Sequence, residues 1–412
     1  MKLWTGIALI AWALPVLAEN RQTPPDLPPT PLARQWIEQD PAVQEARSAL
    51  LAAGHGANML AAGSHEWSTR VTMQRRSYDT GGPASKEWNV QLERPFRING
   101  KADIDQKLGE NEKTTAQARV GEAIQEAARS LLDLWIDGLS ATQAQRLYQE
   151  QQSFAQANLR AVESRRKAGD AAALDVNVAM ADAAEVERQA SLASSNLAKA
   201  LAKLRVRFPG AQLPPQSLGE PQPPSESEAQ WLQRVTEASD PLRIAEGNLR
   251  KAELTASRAS ADRVPDPTVG VFAASESFRQ ERIVGLSVTI PLSGTYRHER
   301  MRQALQEAEA ARATVDRQRR ELETAVAETY ADATGNLARW RIAEQGAKET
   351  GDSARLTQRA YSLGEADLQA LLLARRQFLD ASRAALEARA EALRANYRLL
   401  VDSHLIWDLS LE

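Results

Sequence analysis

Apolar residues along this chain keep two different periods. In the stretches 171–207 and 366–402 they fall at alternating steps of four and three. These are Ala179, Ala183, Val186, Ala190, Ala193, Leu197, Ala200 and Leu204 in the first, and Leu371, Ala374, Phe378, Ala381, Ala385, Ala388, Ala392, Ala395 and Leu399 in the second. Leu372, Leu379, Leu386, Leu393 and Leu400 recur every seven residues beside the second seam. This spacing predicts helices packed along one another as coiled coils, and the abundant alanine permits close approach. Elsewhere the period drops to two. Trp67, Val71 and Met73 share one face of a segment whose other face carries Ser68, Arg70, Thr72 and Gln74, and Trp88, Val90 and Leu92 alternate with Asn89, Gln91 and Glu93. Val269, Val271 and Ala273 share a face, as do Val284, Leu286, Val288 and Ile290. The alternation predicts four strands in two β-hairpins, 65–96 and 266–292, of about ten residues per strand. That is also the length at which a tilted strand crosses a bilayer. Periodicity leaves two readings open: a membrane-crossing sheet, or a small soluble sheet packed on the helices.

The two halves repeat one plan. Asp40-Pro41 and Asp240-Pro241 each open a helical pattern of about 22 residues, with Asp placed to cap and Pro at the first helical position. Each pattern gives way to a hairpin ending at Pro95-Phe96 or Pro291-Leu292. Each hairpin is followed by 68 helix-forming residues, 101–168 and 296–363, which stop at Gly169-Asp170 and Gly364-Glu365. About 37 helical residues then return, 171–207 and 366–402. A 68-residue helix is a rod of roughly 100 Å, and the two shorter helices stacked end to end span roughly 90 Å. One long helix can therefore pack along two short ones. The chain divides into residues 1–18, a Pro-rich extended segment 19–39, a first repeat 40–207, a Pro-rich linker 208–239 with six prolines between 208 and 224, a second repeat 240–402 and a tail 403–412.

Charge and composition narrow the chemistry. Hydrophobic residues at 43% with 25% charged make a foldable chain and exclude wholesale disorder. Lys plus Arg is 51 against 54 Asp plus Glu, a net charge of −3 that gives no case for nucleic acid. Cysteine is absent, which removes disulfides, thiolate metal sites, a thiol nucleophile and a lipidated N-terminal Cys. His55, His65, His298 and His404 are far apart and show no metal or acid–base spacing, and Gly54-His55-Gly56 does not follow a strand as a dinucleotide loop must. No enzyme activity, cofactor or bound metal is expected. Residues 1–18 read as a cleaved signal peptide: Lys2, then an apolar run from Leu3 to Leu17, with Val16 and Ala18 at the positions a signal peptidase reads. A secreted chain with four strands cannot close a barrel alone, and an open edge in lipid leaves backbone groups unpaired, so other copies must supply the rest.

The segments Val264-Pro265-Asp266-Pro267-Thr268-Val269-Gly270-Val271 and Ile283-Val284-Gly285-Leu286-Ser287-Val288-Thr289-Ile290-Pro291-Leu292, with the glycine-led turns Gly169 to Ala179 and Gly364 to Ala374, resemble the TolC family of outer-membrane efflux ducts. The resemblance runs from Asp40 to about Leu400 and looks most like the heavy-metal (CzcC-like) branch, although Leu292 stands where that branch has an aromatic. It implies a mainly α fold with a small β part. Tandem-duplicated helical hairpins would form a trimeric α-barrel, and four strands per chain would build a twelve-stranded outer-membrane β-barrel. It implies a homotrimer in outer-membrane lipid reaching into the periplasm, partnered by a periplasmic adaptor (membrane fusion) protein and an inner-membrane RND-type pump. The cargo implied is heavy-metal cations, with drug efflux and type I protein secretion as alternatives.

The same resemblance assigns residues. Gly169, Asp170, Leu174, Asp175, Val176, Gly364, Glu365, Leu368 and Leu371 would be adaptor-docking tips, their apolar members exposed. Asp175, Tyr361, Glu365 and Asp367 are candidates for an entrance gate, with Tyr361 expected to bond Asp175. The usual acidic ring is missing, since Ala370 and Leu373 occupy its positions. Trp67, Val71, Met73, Trp88, Val90, Leu92, Val284, Leu286, Val288 and Ile290 would face lipid. The rival is a soluble periplasmic coiled-coil protein of the adaptor class, but adaptors carry one hairpin and many strands, where this chain predicts two hairpins and four strands.

Overall fold

The computed structural model describes residues 23–215 and 217–409, so the expected signal peptide 1–18 lies outside the described residues. The first repeat consists of α2 (Pro41–Ala62), β1 (Ser68–Arg76), β2 (Ser85–Pro95), α3 (Lys101–Lys167) and α4 (Ala173–Arg207), preceded by α1 (Thr30–Glu38). A linker helix, α5 (Glu228–Ala238), leads to the second: α6 (Asp240–Ala261), β3 (Thr268–Glu276), β4 (Glu281–Thr289), α7 (Thr295–Leu363) and α8 (Leu368–Asp402). Equivalent helices agree closely in length, 22 residues for α2 and α6, 67 and 69 for α3 and α7, and 35 for α4 and α8. Each long helix packs along its two short partners, α3 along α2 and α4, α7 along α6 and α8, and α3 also meets α6 and α8.

Two expectations are corrected. The lead-in 19–39 is not extended throughout, because Pro29 and Pro31 fall at the start of α1, where a missing N–H costs nothing. Among the described residues the linker 208–239 has no helix through its prolines and beyond them holds α5, whose start is fixed by Ser227 donating its N–H (3.0 Å) and hydroxyl (2.9 Å) to Gln230 Oε1. Asp40 caps α2 by accepting from the Ala42 N–H at 2.9 Å, but Asp240 does not cap α6. Ser239 does, accepting from the Leu242 N–H, and Asp240 is the first helical residue.

The main core sits midway along the rods. Ala33, Trp36 and Ile37 of α1, Val120 to Leu139 of α3, Phe208, Ala211 and Leu218 of the linker, Ala390, Leu393, Tyr397 and Val401 of α8 and Ile406, Trp407 and Leu409 of the tail form one cluster. Buried Asp26 ties it together. Its carbonyl accepts from Trp135 Nε1 (2.7 Å), Oδ1 from the Tyr397 hydroxyl (2.8 Å) and Oδ2 from the Gly219 N–H (2.9 Å). Burial, and then the Asp26 charge, push the Tyr397 phenol far above its ordinary pKa. A second cluster seats Trp231 and Val235 of α5 on Val326 and Ala333 of α7 and Ala395 and Leu399 of α8. The segments outside the repeats thus make a belt around the middle of the molecule.

Candidate functional site

At one end of the rods the four strands form a single antiparallel sheet in the order β1-β2-β3-β4. Directly paired residues of an antiparallel sheet share a face. Val71 pairs with Val90, Val90 with Ala273 and Ala273 with Val284. The next rows are Met73–Trp88–Ser275–Arg282 and Thr69–Leu92–Val271–Leu286. The register therefore gathers Val71, Met73, Trp88, Val90, Leu92, Val284, Leu286 and Val288 on one face, where all are exposed. Trp67 and Ile290 continue the alternation one residue beyond β1 and β4 and are exposed as well. Val269 and Val271 of β3 belong to the same face. A wall this apolar, with Val284 84% exposed and Met73 81%, is an unpartnered surface.

The other face is mostly polar, with Phe272, Ala274 and Ile283 among its members, and is internally bonded. Gln91 Nε2 donates to Glu93 Oε2 at 2.9 Å and to Ser287 Oγ at 3.1 Å, and Gln74 Nε2 to Glu87 Oε2 at 2.8 Å. Arg76 pairs with Glu87 and Glu276 at 3.1 Å each. Among the described residues the two outer strands, β1 and β4, each have one neighbour only, so both sheet edges are free.

Where the sheet joins the rods, polar groups lock the two repeats together. Lys101, 1% exposed, donates from Nζ to the Val264 carbonyl (2.7 Å) and to Asp266 Oδ1 (2.8 Å). Asp266 also accepts from the Ile98 N–H and lies 3.2 Å from the His65 ring. Arg97 donates to the last carbonyls of α2, at Leu60 (2.8 Å) and Ala61 (2.7 Å), and pairs with Asp105, which Arg258 Nε reaches at 2.7 Å. Sequence reasoning missed this junction. Its one visible signal was the Val264-Pro265-Asp266-Pro267 segment, whose Asp is the hub.

At the far end both long helices stop in the same way. Gly169 (φ +91°) and Gly364 (φ +79°) take the left-handed conformation that glycine adopts without cost. The Gly169 N–H donates to the Arg166 carbonyl and that of Asp170 to Arg165. The Gly364 N–H donates to Tyr361 and that of Glu365 to Ala360. Each pair is a Schellman closure that satisfies the last helical carbonyls. The returning helices start by two versions of one device. Asp367 caps α8 from outside, accepting from the Ala370 N–H at 2.7 Å, whereas Asp175 inside α4 reaches back to the Ala172 N–H at 3.1 Å.

The tip residues separate into two groups. Gly169, Asp170, Leu174, Gly364 and Glu365 are exposed. Val176, Leu368 and Leu371 are buried, against expectation, with Val176 and Leu368 packed on Val162 and Ala179 in a cluster that joins the two hairpins. The coiled-coil seam continues to the very end of the rods, and these three residues belong to it. Leu174, Leu363 and Leu373 are apolar side chains left exposed at this end. Nothing in the periodicity marks Leu363, the last residue of α7. Among the gate candidates, Asp175 and Asp367 carry the caps just described. Within the chain Tyr361 does not bond Asp175. It packs on the tip cluster with the Arg165 guanidinium 5.5 Å from its ring centre. Glu365 projects free of the tip cluster.

Among the described residues no helix is long and apolar enough to cross a membrane, and no group of three or more potential metal ligands converges. Residues 231–401 match the family model described as outer membrane efflux protein. No curated protein sequence matches the chain. Several solved structures share its fold. The outer-membrane channel OprN superposes with a TM-score of 0.79 at 19% identity, over 92% of this chain and 91% of that one. The outer membrane protein VceC of Vibrio cholerae gives 0.75 at 16% identity, over 91% and 95%. The MtrE outer membrane channel of Neisseria gonorrhoeae gives 0.66 at 19% identity, over 93% and 90%.

Proposed function

We propose that this protein is a TolC-family exit duct of a tripartite efflux system. It is a passive channel that catalyses no reaction and carries substrate from an inner-membrane pump and a periplasmic adaptor out through the outer membrane. One observation carries the reading most directly. A four-stranded sheet with an apolar outer wall, a polar inner wall and two free edges stands at one end of helical rods roughly 100 Å long. In lipid such edges must be paired, and only closure pairs them all. Three copies supply twelve strands for a barrel and extend twelve helical columns below it. The family match over 231–401 supports this, since α2 to α4 repeat the element lengths of the matched half.

In this reading Trp67, Val71, Met73, Trp88, Val90, Leu92, Val284, Leu286, Val288 and Ile290 face lipid, and Gln74, Gln91 and Glu93 face the lumen. The resemblance around 264–292 favours heavy-metal cations as cargo over drugs or polypeptides. The glycine tips point into the periplasm and dock the adaptor, through Gly169, Asp170, Leu174, Gly364 and Glu365 together with Leu363 and Leu373. Val176, Leu368 and Leu371 support that surface from beneath. Entrance control falls to Tyr361 and Glu365, with Asp175 and Asp367 shaping the loops that carry them.

The test is to replace Leu174 and Leu363 together by Asp. Both side chains are well exposed, so the variant should fold, reach the outer membrane and assemble as the parent does. Export and crosslinking to the adaptor should both fall below a tenth of the parental level, as expected when a central apolar contact worth about 2 kcal/mol is lost. Undiminished export by assembled trimers would show that the tips are not the docking surface.

A further inference from the structure

The apolar face of the sheet ends in cations. Arg75 and Lys86 lie directly opposite each other on β1 and β2, two positions beyond Met73 and Trp88 on the same face. Arg282 stands on that face of β4, in the row of Met73 and Trp88. All three are exposed, and none takes part in an ion pair among the described residues. The other cations of the sheet are engaged. Arg76 turns to the polar face and holds Glu87 and Glu276. Arg94, at the rod end of the apolar face, donates to the His65 carbonyl at 2.9 Å and lies over the Trp67 ring at 5.7 Å.

Like charges directly opposite on a sheet repel, and cations on a lipid-facing wall are costly near its middle. Their height resolves the second point. Trp67 alternates onto the row of Arg94, and the Arg75–Lys86 row is eight residues further along β1. That is about 27 Å along the strand, or roughly 20 Å along the barrel axis at the usual tilt. The apolar band of a barrel is about 25 Å tall, so the Arg75–Lys86 row lies near its edge on the side of the hairpin loops, away from the rods, and Arg282, one row nearer the middle, reaches the headgroups by the length of its side chain. Arg282 is offset from Lys86 by two strands, about 10 Å, and by one row, about 7 Å. This patch is broader than one anion and suits a headgroup bearing two phosphates, which guanidinium groups bind in bidentate fashion.

Resting on the outer-membrane reading above, we infer that Arg75, Lys86 and Arg282 form a clamp for the phosphate groups of outer-leaflet lipid. The lipid headgroup supplies the counter-charge that these three residues lack among the described residues. The clamp fixes the height of the barrel and relieves the Arg75–Lys86 repulsion.

The experiment reconstitutes the full-length protein, and the triple variant Arg75→Ala, Lys86→Ala, Arg282→Ala, into phosphatidylcholine nanodiscs containing either diphosphorylated lipid A or its dephosphorylated form. Native mass spectrometry reads the lipid retained, and heating reads trimer survival. The parent should retain the diphosphorylated lipid and be stabilised by it. The triple variant should retain it roughly 100-fold less, at about fivefold for each cation near a charged surface. Equal retention by parent and variant, or no preference of the parent for the phosphorylated form, would overturn the clamp. Competition by millimolar inorganic phosphate as effective as the lipid would overturn the lipid as its occupant. A parent that enters neither nanodisc overturns the outer-membrane reading itself. A parent that enters both without preference overturns the clamp and leaves that reading standing. Single variants of each residue, which disturb the sheet least, should each show part of the loss.

Discussion

Asp240 brings a carboxylate, 3% exposed, into the crossing of α3 and α6. It faces Gly121, where any Cβ would collide with the carboxylate itself. Burial raises its pKa above the ordinary value, and the bond from Arg243 Nη1 at 2.9 Å offsets this only in part. Glu122 beside it is also raised, first by burial and then by the Asp240 charge. The sign follows from linkage. A raised folded-state pKa means that the native chain keeps a proton which the unfolded chain has released above about pH 3.9. The folded state is therefore favoured at low pH, and stability falls as pH rises from there through the raised value. Asp240→Asn keeps an oxygen for Arg243 and removes the charge. It should raise stability at pH 7 by on the order of 1 kcal/mol and leave it nearly unchanged at pH 4. Parallel thermal melts of both proteins across pH 4–8 check this, and an equal gain at both ends would refute the buried-charge account. The sequence showed Asp240 only as the twin of Asp40. Ser239 one position earlier takes the cap instead, and a hydrogen-bonding serine beside an aspartate looks the same in the sequence whichever of them does so.

The helices were legible to within a few residues because their ends are set locally. Glycine with a positive φ closes α3 and α7, and an acid opens α4 and α8, and both signals stand in the sequence. The strands were legible for the same reason, since alternation marks a face wherever a sheet has one wet side. The short helices α1 and α5 were hidden by the prolines around them, although Ser227-x-x-Gln230 is a capping box that could have revealed α5. What no local signal shows is how closely two helices approach. Gly109 of α3 sits so near α2 that a Cβ would lie 2.8 Å from the Ala57 Cα and 2.9 Å from its Cβ. Backbone cannot rotate aside as a side chain can. Gly109→Ala gains about 1 kcal/mol of helix propensity but forces α2 and α3 apart, at a cost of about 1–3 kcal/mol. The net expectation is a loss of about 1 kcal/mol, read as a lower unfolding midpoint in detergent. A rise in the midpoint would mean that the two helices separate freely.

At the scale of the whole molecule the belt and the closure were not legible, because both join residues that the sequence holds far apart. Tyr397 meets Asp26 across 371 positions, and Lys101 meets Asp266 across 165. Closure lies further still, between copies. Each chain offers a free β1 edge and a free β4 edge, and the repeat that gave it two hairpins also placed them side by side. The separation of those edges makes closure measurable. Within one chain they are three strand spacings apart, about 14 Å, beyond the reach of a crosslinker of about 8 Å. Between adjacent copies of a closed barrel they are one spacing apart. The chain has no cysteine, so Thr72→Cys on β1 with Ser287→Cys on β4 gives a protein whose only thiols mark the two edges. Treated with a short bismaleimide in the membrane, it should run on denaturing gels as monomer, dimer and trimer, with trimer accumulating as the end point. Each single-cysteine protein should stay monomeric. A ladder that climbs past trimer would mean an open array of edges, and a doubly substituted protein that stays monomeric would mean the edges never meet.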